Sequence, residues 1–290
     1  MFLLLFCALL VRNMALPYDP AFYDVHKSVI YKEVGPRPLR LDLYVPNGGL
    51  TDCPVIVFVH GGAWFVGYRG DYEDYACALA TEGIAVALIE FRLTPPEGFF
   101  DQVADIKDAI RWVRSHAEEY GINPDGIGLY GSSSGGHLAA LVADSDGTPD
   151  DPPGESCAVA AAMYVHGVYD MAQPGGAIPW ARLVVAVMFD GSRADPCEAA
   201  RAASPVCLVE GDEPPTLILH GAEDKWIPIE QVRRYANALR AAGVPTDLVV
   251  FENQGHGFVK VAPWLRPIIF NMLVDFFTEM LPPAKQLAAF

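Results

Sequence analysis

The chain has 290 residues, long for one average domain yet ordinary for an α/β protein built around a single sheet. A hydrophobic content of 52% excludes a disordered chain, and no repeat of fixed period is present. The formal net charge is −16 and the 20 Lys and Arg residues are thinly spread, so the basic cluster that neutralises phosphate is missing and nucleic acid is excluded as a partner.

Residues 2–11, FLLLFCALLV, are all apolar but too short to span a bilayer, so no stable membrane insertion is expected. Two accounts fit the run: the core of a secretory signal, or a misassigned start with Met14 as the true first residue. The first implies secretion and the second a cytoplasmic protein. No Lys or Arg precedes the run, and Asn13-Met14-Ala15 is a poor cleavage site. Residues 1–15 are set aside on either account, and 16–290 are expected to form one domain.

Val29–Val34 and Leu39–Val45 read as two strands joined by the turn-forming GPRP. PVIVFVH (54–60) is a continuous apolar run, the pattern of a strand covered on both faces. Helical spacing follows in YEDYACALATEG and stops at Gly83, after which IAVALIEF (84–91) is another buried strand. From Asp101 to Tyr120, Val103, Ile106, Ile110 and Val113 fall at three-and-four spacing, a helix ended by Gly121. IGLY (127–130), AVAAAMYV (158–165), TLILH (216–220) and DLVVF (247–251) continue the strand series, with helices over Ile229–Ala242 and Pro263 to Met280. Strands alternating with helices imply right-handed crossovers. The expected fold is therefore α/β: a mostly parallel, doubly wound sheet with an antiparallel start and helices on both faces.

Two stretches break the alternation. DSDGTPDDPPGES (144–156) is acidic, Pro- and Gly-rich and without a full calcium-loop pattern, which makes it a solvated loop. Residues 171–213 hold a short apolar helix, WARLVVAVMF (180–189), and read as a small lid insertion over the strand ends. The six cysteines lack zinc spacing and read as buried thiols, with Cys197 and Cys207 the one pair worth testing.

IGLYGSSSGG (127–136) sets three serines in a row between glycines. Gly126, Gly128 and Gly131 spell G-x-G-x-x-G, but the first two flank or lie inside the strand, and no acidic residue ends a following strand about twenty residues on, as a dinucleotide site needs. The nucleophile elbow, G-x-S-x-G, fits instead. It needs glycine two positions before and two after its serine, where a side chain would collide with the neighbouring strand and helix. Only Ser133, between Gly131 and Gly135, meets that condition, leaving Ser132 a bystander.

Acyl transfer also needs donors for an oxyanion, and HGGAW (60–64) follows a strand where Gly62 and Ala63 can offer N–H groups, completed by the Ser134 N–H. The expected chain order is serine, acid, histidine. In LILHGAEDKWIP (217–228), Asp224 is placed to hold an imidazole, with Glu223 its rival. His256 in FENQGHGF (251–258) follows the last strand and is the candidate base, whereas His26, His60, His116, His137, His166 and His220 read as structural. Trp64, Phe65, Trp180, Trp226 and Phe258 could line an acyl or aryl pocket, with core packing the competing reading.

These motifs resemble α/β-hydrolases of the esterase/lipase group related to hormone-sensitive lipase, most of all the bacterial carboxylesterases that include bifunctional acetylxylan and feruloyl esterases. The likeness runs from LRLDLYVP (39–46) through PVIVFVHGGAWFVG (54–67), the stretch 91–141, PPTLILHGAEDKWIP (214–228) and GHGF (255–258). It implies a Ser133–Asp224–His256 triad, a small-molecule ester substrate and neither metal nor organic cofactor; a homodimer is left open. The chain departs from the pattern at Ala63, where a third glycine is usual, at PPEGFF (95–100), and across 171–213. An arylformamidase or small peptidase is the alternative on the same fold, since a triad does not choose ester over amide. A non-catalytic binding protein would be expected to lack a triad member.

Overall fold

A computed structural model describes residues 16, 18–94, 98–145, 152, 155–173, 196–258 and 262–286. The helix expected over 180–189 with Trp180, most of the stretch 144–156 expected to be a loop, and the Cys197 side chain lie outside the described residues. Cys53, Cys77 and Cys157 are buried, and Cys207 is exposed.

Eight strands form the main sheet: β1 (Tyr23–Lys32), β2 (Leu39–Pro46), β4 (Cys53–Val59), β5 (Ala85–Ile89), β6 (Ile122–Ser132), β7 (Ala161–Val165), β8 (Thr216–Gly221) and β9 (Thr246–Phe251). Their order is β1-β2-β5-β4-β6-β7-β8-β9, antiparallel from β1 to β5 and parallel from there on. A separate antiparallel pair joins β3 (Leu50–Thr51) to β10 (Lys285–Gln286). The winding direction reverses between β4 and β6, and the crevice at the carboxyl ends of such strands is where open α/β sheets place their ligands.

The helices are α1 (Glu73–Thr81), α2 (Phe99–Ser115), α3 (Ser134–Ala143), α4 (Pro196–Ala202), α5 (Ile229–Ala241) and α6 (Arg266–Met280). Strand alternation sorts them onto two faces. Val55, Val57 and Val59 pack with Ile106 and Ile110 of α2, Leu138 of α3 and Val232 and Leu239 of α5. Ile56 and Phe58 point the other way, onto Ala76 and Leu79 of α1 and Leu273 and Phe277 of α6. With both faces covered, the strands read as apolar runs.

Three boundaries differ from expectation. β1 starts at Tyr23 within a polar stretch, because this edge strand is largely solvent-exposed and its residues need no apolar period. β6 begins at Ile122, well before IGLY, and α2 ends at Ser115 with turns leading to Gly121 at φ 65°.

Candidate active site

The elbow is built where β6 gives way to α3. Ser133 sits at φ 56° and ψ −122°, a conformation that disfavours any side chain, and the fold holds it there by crowding. A Cβ at Gly131 would lie 2.3 Å from Gly135 O, and one at Gly135 would lie 2.3 Å from Val59 O and 2.4 Å from His60 O. Only glycine at both positions lets the turn close. The Ser133 N–H donates to Val165 O at 2.9 Å, anchoring the turn to β7. The next residue, Ser134, opens α3, and its amide is one of the helix's free N-terminal donors.

Across the strand ends, the Ser133 hydroxyl lies 2.9 Å from His256 Nε2, and His256 Nδ1 lies 2.8 Å from Asp224 Oδ2. The other Asp224 oxygen accepts the Trp226 and Ile227 N–H groups at 2.8 and 2.9 Å, which aims Oδ2 at the histidine. Burial alone would push the Asp224 carboxyl up. The hydrogen bond and charge of His256, the Ile227 N–H and His220 outweigh it and hold the carboxyl below the ordinary carboxylate range. An ionised carboxylate only accepts, so Nδ1 of His256 carries the proton and Nε2 turns its lone pair to the serine. Glu223, the rival acid, is exposed, and its N–H donates to Gln254 O at 2.8 Å. His220 is buried behind Asp224, with Nε2 2.9 Å from Ile227 O and 3.7 Å from the Asp224 carboxylate.

The HGGAW loop passes against the elbow: a Cβ at Gly61 would lie 2.7 Å from Ser132 O and 3.2 Å from Ser133 Cβ. Gly62 is at φ 137°, Ala63 at 54° and Trp64 at 68°, and the Gly62 carbonyl accepts the Phe65 and Val66 N–H groups. Among the described residues, the Gly62 and Ala63 N–H groups donate to no backbone acceptor. Ala63 is exposed, so its methyl group meets solvent rather than the packed interior.

Two expected pocket residues belong to the core instead. Trp64 is 2% exposed, because the positive φ at Ala63 and Trp64 turns its ring inward, where the indole N–H donates to His137 Nδ1 at 3.1 Å. Phe258 is fully buried against Phe251 and His166. Phe65 is half-buried, and Trp226 is exposed beside His256, ring centres 6.2 Å apart. Ser132, expected to be a bystander to the chemistry, is buried, and its hydroxyl bonds to His166 Nε2 at 3.1 Å. His166 in turn meets the His256 ring at 4.6 Å and 65°, forming a floor under the imidazole. The available signal was its place, since a histidine closing a parallel strand at the carboxyl edge points into this crevice. Among the described residues, no three His, Cys, Asp or Glu side chains gather to hold a metal, and no helix is long and apolar enough to cross a membrane.

The BD-FAE family model matches residues 41–239. The chain belongs to the BD-FAE family. Ser133 and Asp224 fall inside the match, and His256 lies beyond it. This BD-FAE chain is similar to the probable carboxylic ester hydrolase LipM of Mycobacterium tuberculosis, 34% identical over 221 residues, covering 73% of this chain and 51% of LipM. It thus spans about half the length of the curated relatives it matches, 51% and 56% for the first two. Among solved structures, Thermogutta terrifontis esterase 2 phosphonylated by sarin aligns with a TM-score of 0.77 at 29% identity, over 92% of this chain and 98% of that one. A truncated carbohydrate esterase from gut microbiota aligns with a TM-score of 0.75 at 28% identity, over 91% and 98%. The fold is that of an α/β-hydrolase.

Proposed function

We propose that the protein is a serine carboxylesterase hydrolysing short-chain or aryl esters through an acyl-enzyme, with acetyl and feruloyl esters of plant polysaccharide as the natural class. Residues 16–290 act as one domain in this reading. The observation that carries it is the unbroken hydrogen-bond chain from a strained serine to a buried carboxylate, 2.9 Å and then 2.8 Å. Similarity to LipM, to an esterase that takes a phosphonyl group from sarin, and to a carbohydrate esterase supports it.

In this mechanism His256 Nε2 takes the Ser133 proton as Oγ attacks the ester carbonyl. Asp224 keeps the imidazole in the accepting tautomer and stabilises the imidazolium that forms. The carbonyl oxygen, now negative, is received by the N–H groups of Gly62, Ala63 and Ser134, the last aided by the N-terminal dipole of α3. Collapse of the tetrahedral intermediate expels the alcohol, which takes the proton from His256 and leaves an acylated Ser133. Water then repeats the sequence, with His256 as base and Ser133 as leaving group.

Hydrolysis of p-nitrophenyl acetate and butyrate, methyl ferulate, acetylated xylan and N-formylkynurenine tests the reading. Ester turnover is expected, with kcat falling at least about 10⁴-fold in Ser133→Ala, and a phosphonate label on Ser133 by mass spectrometry. Undiminished turnover in Ser133→Ala would remove the serine from the chemistry. Faster cleavage of N-formylkynurenine than of every ester would make the protein a formamidase.

A further inference from the structure

The loop carrying the proposed oxyanion donors holds Ala63 and Trp64 in succession at φ 54° and 68°, a shape that residues other than glycine resist. Such a pair persists only where its surroundings over-determine it. Here Trp64 is held at three points. Its carbonyl accepts the Thr94 N–H at 3.1 Å and the Gln102 side-chain amide at 2.9 Å. Its indole N–H donates to His137 Nδ1 at 3.1 Å, and the two rings meet edge to face, 5.4 Å apart at 88°.

His137 belongs to the other half of the site. It lies one turn into α3, where its backbone N–H donates to the Ser133 carbonyl at 3.1 Å. Its Nε2 lies 2.8 Å from Ala203 O, beyond the end of α4. A carbonyl only accepts and an indole N–H only donates, so the tautomer is set: proton on Nε2, lone pair on Nδ1. The ring is wholly buried, and burial pushes its pKa down to about 4 against the Ala203 hydrogen bond, which keeps the lone pair available at neutral pH. One residue therefore measures the gap between the nucleophile's turn and the donor loop.

We propose that His137 is a positioning residue of the hydrolase: its neutral imidazole fixes the Gly62–Trp64 loop at the distance from Ser133 that oxyanion stabilisation requires. The proposal rests on the esterase reading above. It differs from a packing role in what it demands of each nitrogen. The Nδ1 acceptor sets the loop and hence the transition state, whereas the Nε2 donor ties α3 to Ala203 and bears on stability.

The two nitrogens can be separated. His137→Asn places a side-chain oxygen near Nδ1 and gives up the Ala203 bond; His137→Gln reaches Ala203 and gives up the indole. Trp64→Phe deletes the N–H together with one of the two fused rings of a buried side chain, so its melting temperature is read beside its kcat. Each variant is compared with wild type for kcat and KM on p-nitrophenyl acetate, affinity for a boronic acid that mimics the tetrahedral intermediate, and melting temperature. His137→Gln and Trp64→Phe are expected to lower kcat about 10- to 100-fold with KM within about twofold, and to weaken the boronate in parallel. The double variant should add little to either single one, and His137→Asn should recover most of kcat despite a melting temperature at or below that of His137→Gln. Activity that follows melting temperature instead, with Asn and Gln equally impaired, would overturn the proposal. So would kcat within about twofold of an active wild type in both His137→Gln and Trp64→Phe. A wild type that turns over no ester would overturn the esterase reading itself, and this inference with it.

Discussion

The elbow after β6 and the loop after β4 leave neighbouring strands at the same edge of the sheet, and both hold non-glycine residues at positive φ. They are braced differently. The elbow rests on backbone: Gly135 is pressed against Val59 O and His60 O, and the Ser133 N–H is taken by Val165 O. The loop has backbone contacts too, such as the Thr94 N–H on the Trp64 carbonyl, but adds side chains distant in the chain, with His137 holding the Trp64 indole and Gln102 its carbonyl. Backbone contact leaves no room to yield, because a strand cannot move without its whole ladder. Side-chain bracing is shared among several contacts and gives way by degrees.

Gly135→Ala should break the elbow most completely. Its Cβ would meet two backbone oxygens at 2.3 and 2.4 Å, so a destabilisation of at least about 3 kcal/mol and loss of turnover are expected. Denaturant unfolding alongside an esterase assay measures both. A variant with wild-type stability and rate would mean the backbone here yields after all.

Asp224→Asn tests a carboxylate that is also held by local backbone, through the Trp226 and Ile227 N–H groups. An amide there still accepts those bonds but favours the wrong imidazole tautomer, so kcat should fall about 10³-fold with little change in stability. Glu223→Gln, on an exposed side chain, should stay within about twofold. Greater damage from Glu223→Gln would reassign the acid.

The contrast between the two braces also decides what could be read from the chain. Ser133 was legible because the elbow's demand is steric and local, written as glycine at minus two and plus two. Asp224 is preferred over its rival Glu223 on its place and on the resemblance, yet neighbouring acids look alike in sequence until the turn's N–H groups pick one. For Trp64 the sequence leaves pocket wall and core packing open, since the letter W gives an aromatic ring but not the sign of φ that turns it inward. His137 and His166 read as structural in the sequence, but their partners were not legible for a different reason: that of His137 lies 73 residues away and that of His166 34 residues away. The parallel sheet itself was legible from apolar runs, while β1, an exposed edge, carried no such run.

Gln102→Met probes the loop's bracing with a smaller expected effect. It removes one of two donors to the buried Trp64 carbonyl, leaving the Thr94 N–H in place. A loss of about 1 kcal/mol in stability and a fall in kcat of about three- to tenfold are expected. If kcat instead dropped as far as in Trp64→Phe, the carbonyl side of the clamp would be the dominant restraint.

A separate effect lies in the pH dependence of stability. Burial lowers the His137 pKa from 6.5 to about 4, and the hydrogen bond to Ala203 only partly opposes it. Between those values the unfolded chain binds a proton that the folded chain refuses, so stability falls as pH drops through this window. Below it both states are charged and the loss is complete, amounting to about 3 kcal/mol. His60 and His220 are also lowered, chiefly by burial, and add to the wild-type slope. The informative quantity is therefore a difference. In His137→Asn, unfolding free energies from denaturant titrations should change with pH less steeply than in wild type between about pH 6.5 and 4, by about one proton. An unchanged slope would mean that the folded protein protonates His137 as readily as the unfolded chain does. A protonated Nδ1 cannot accept the Trp64 indole N–H, so the bond that links the donor loop to the nucleophile's helix would then be absent at mildly acidic pH.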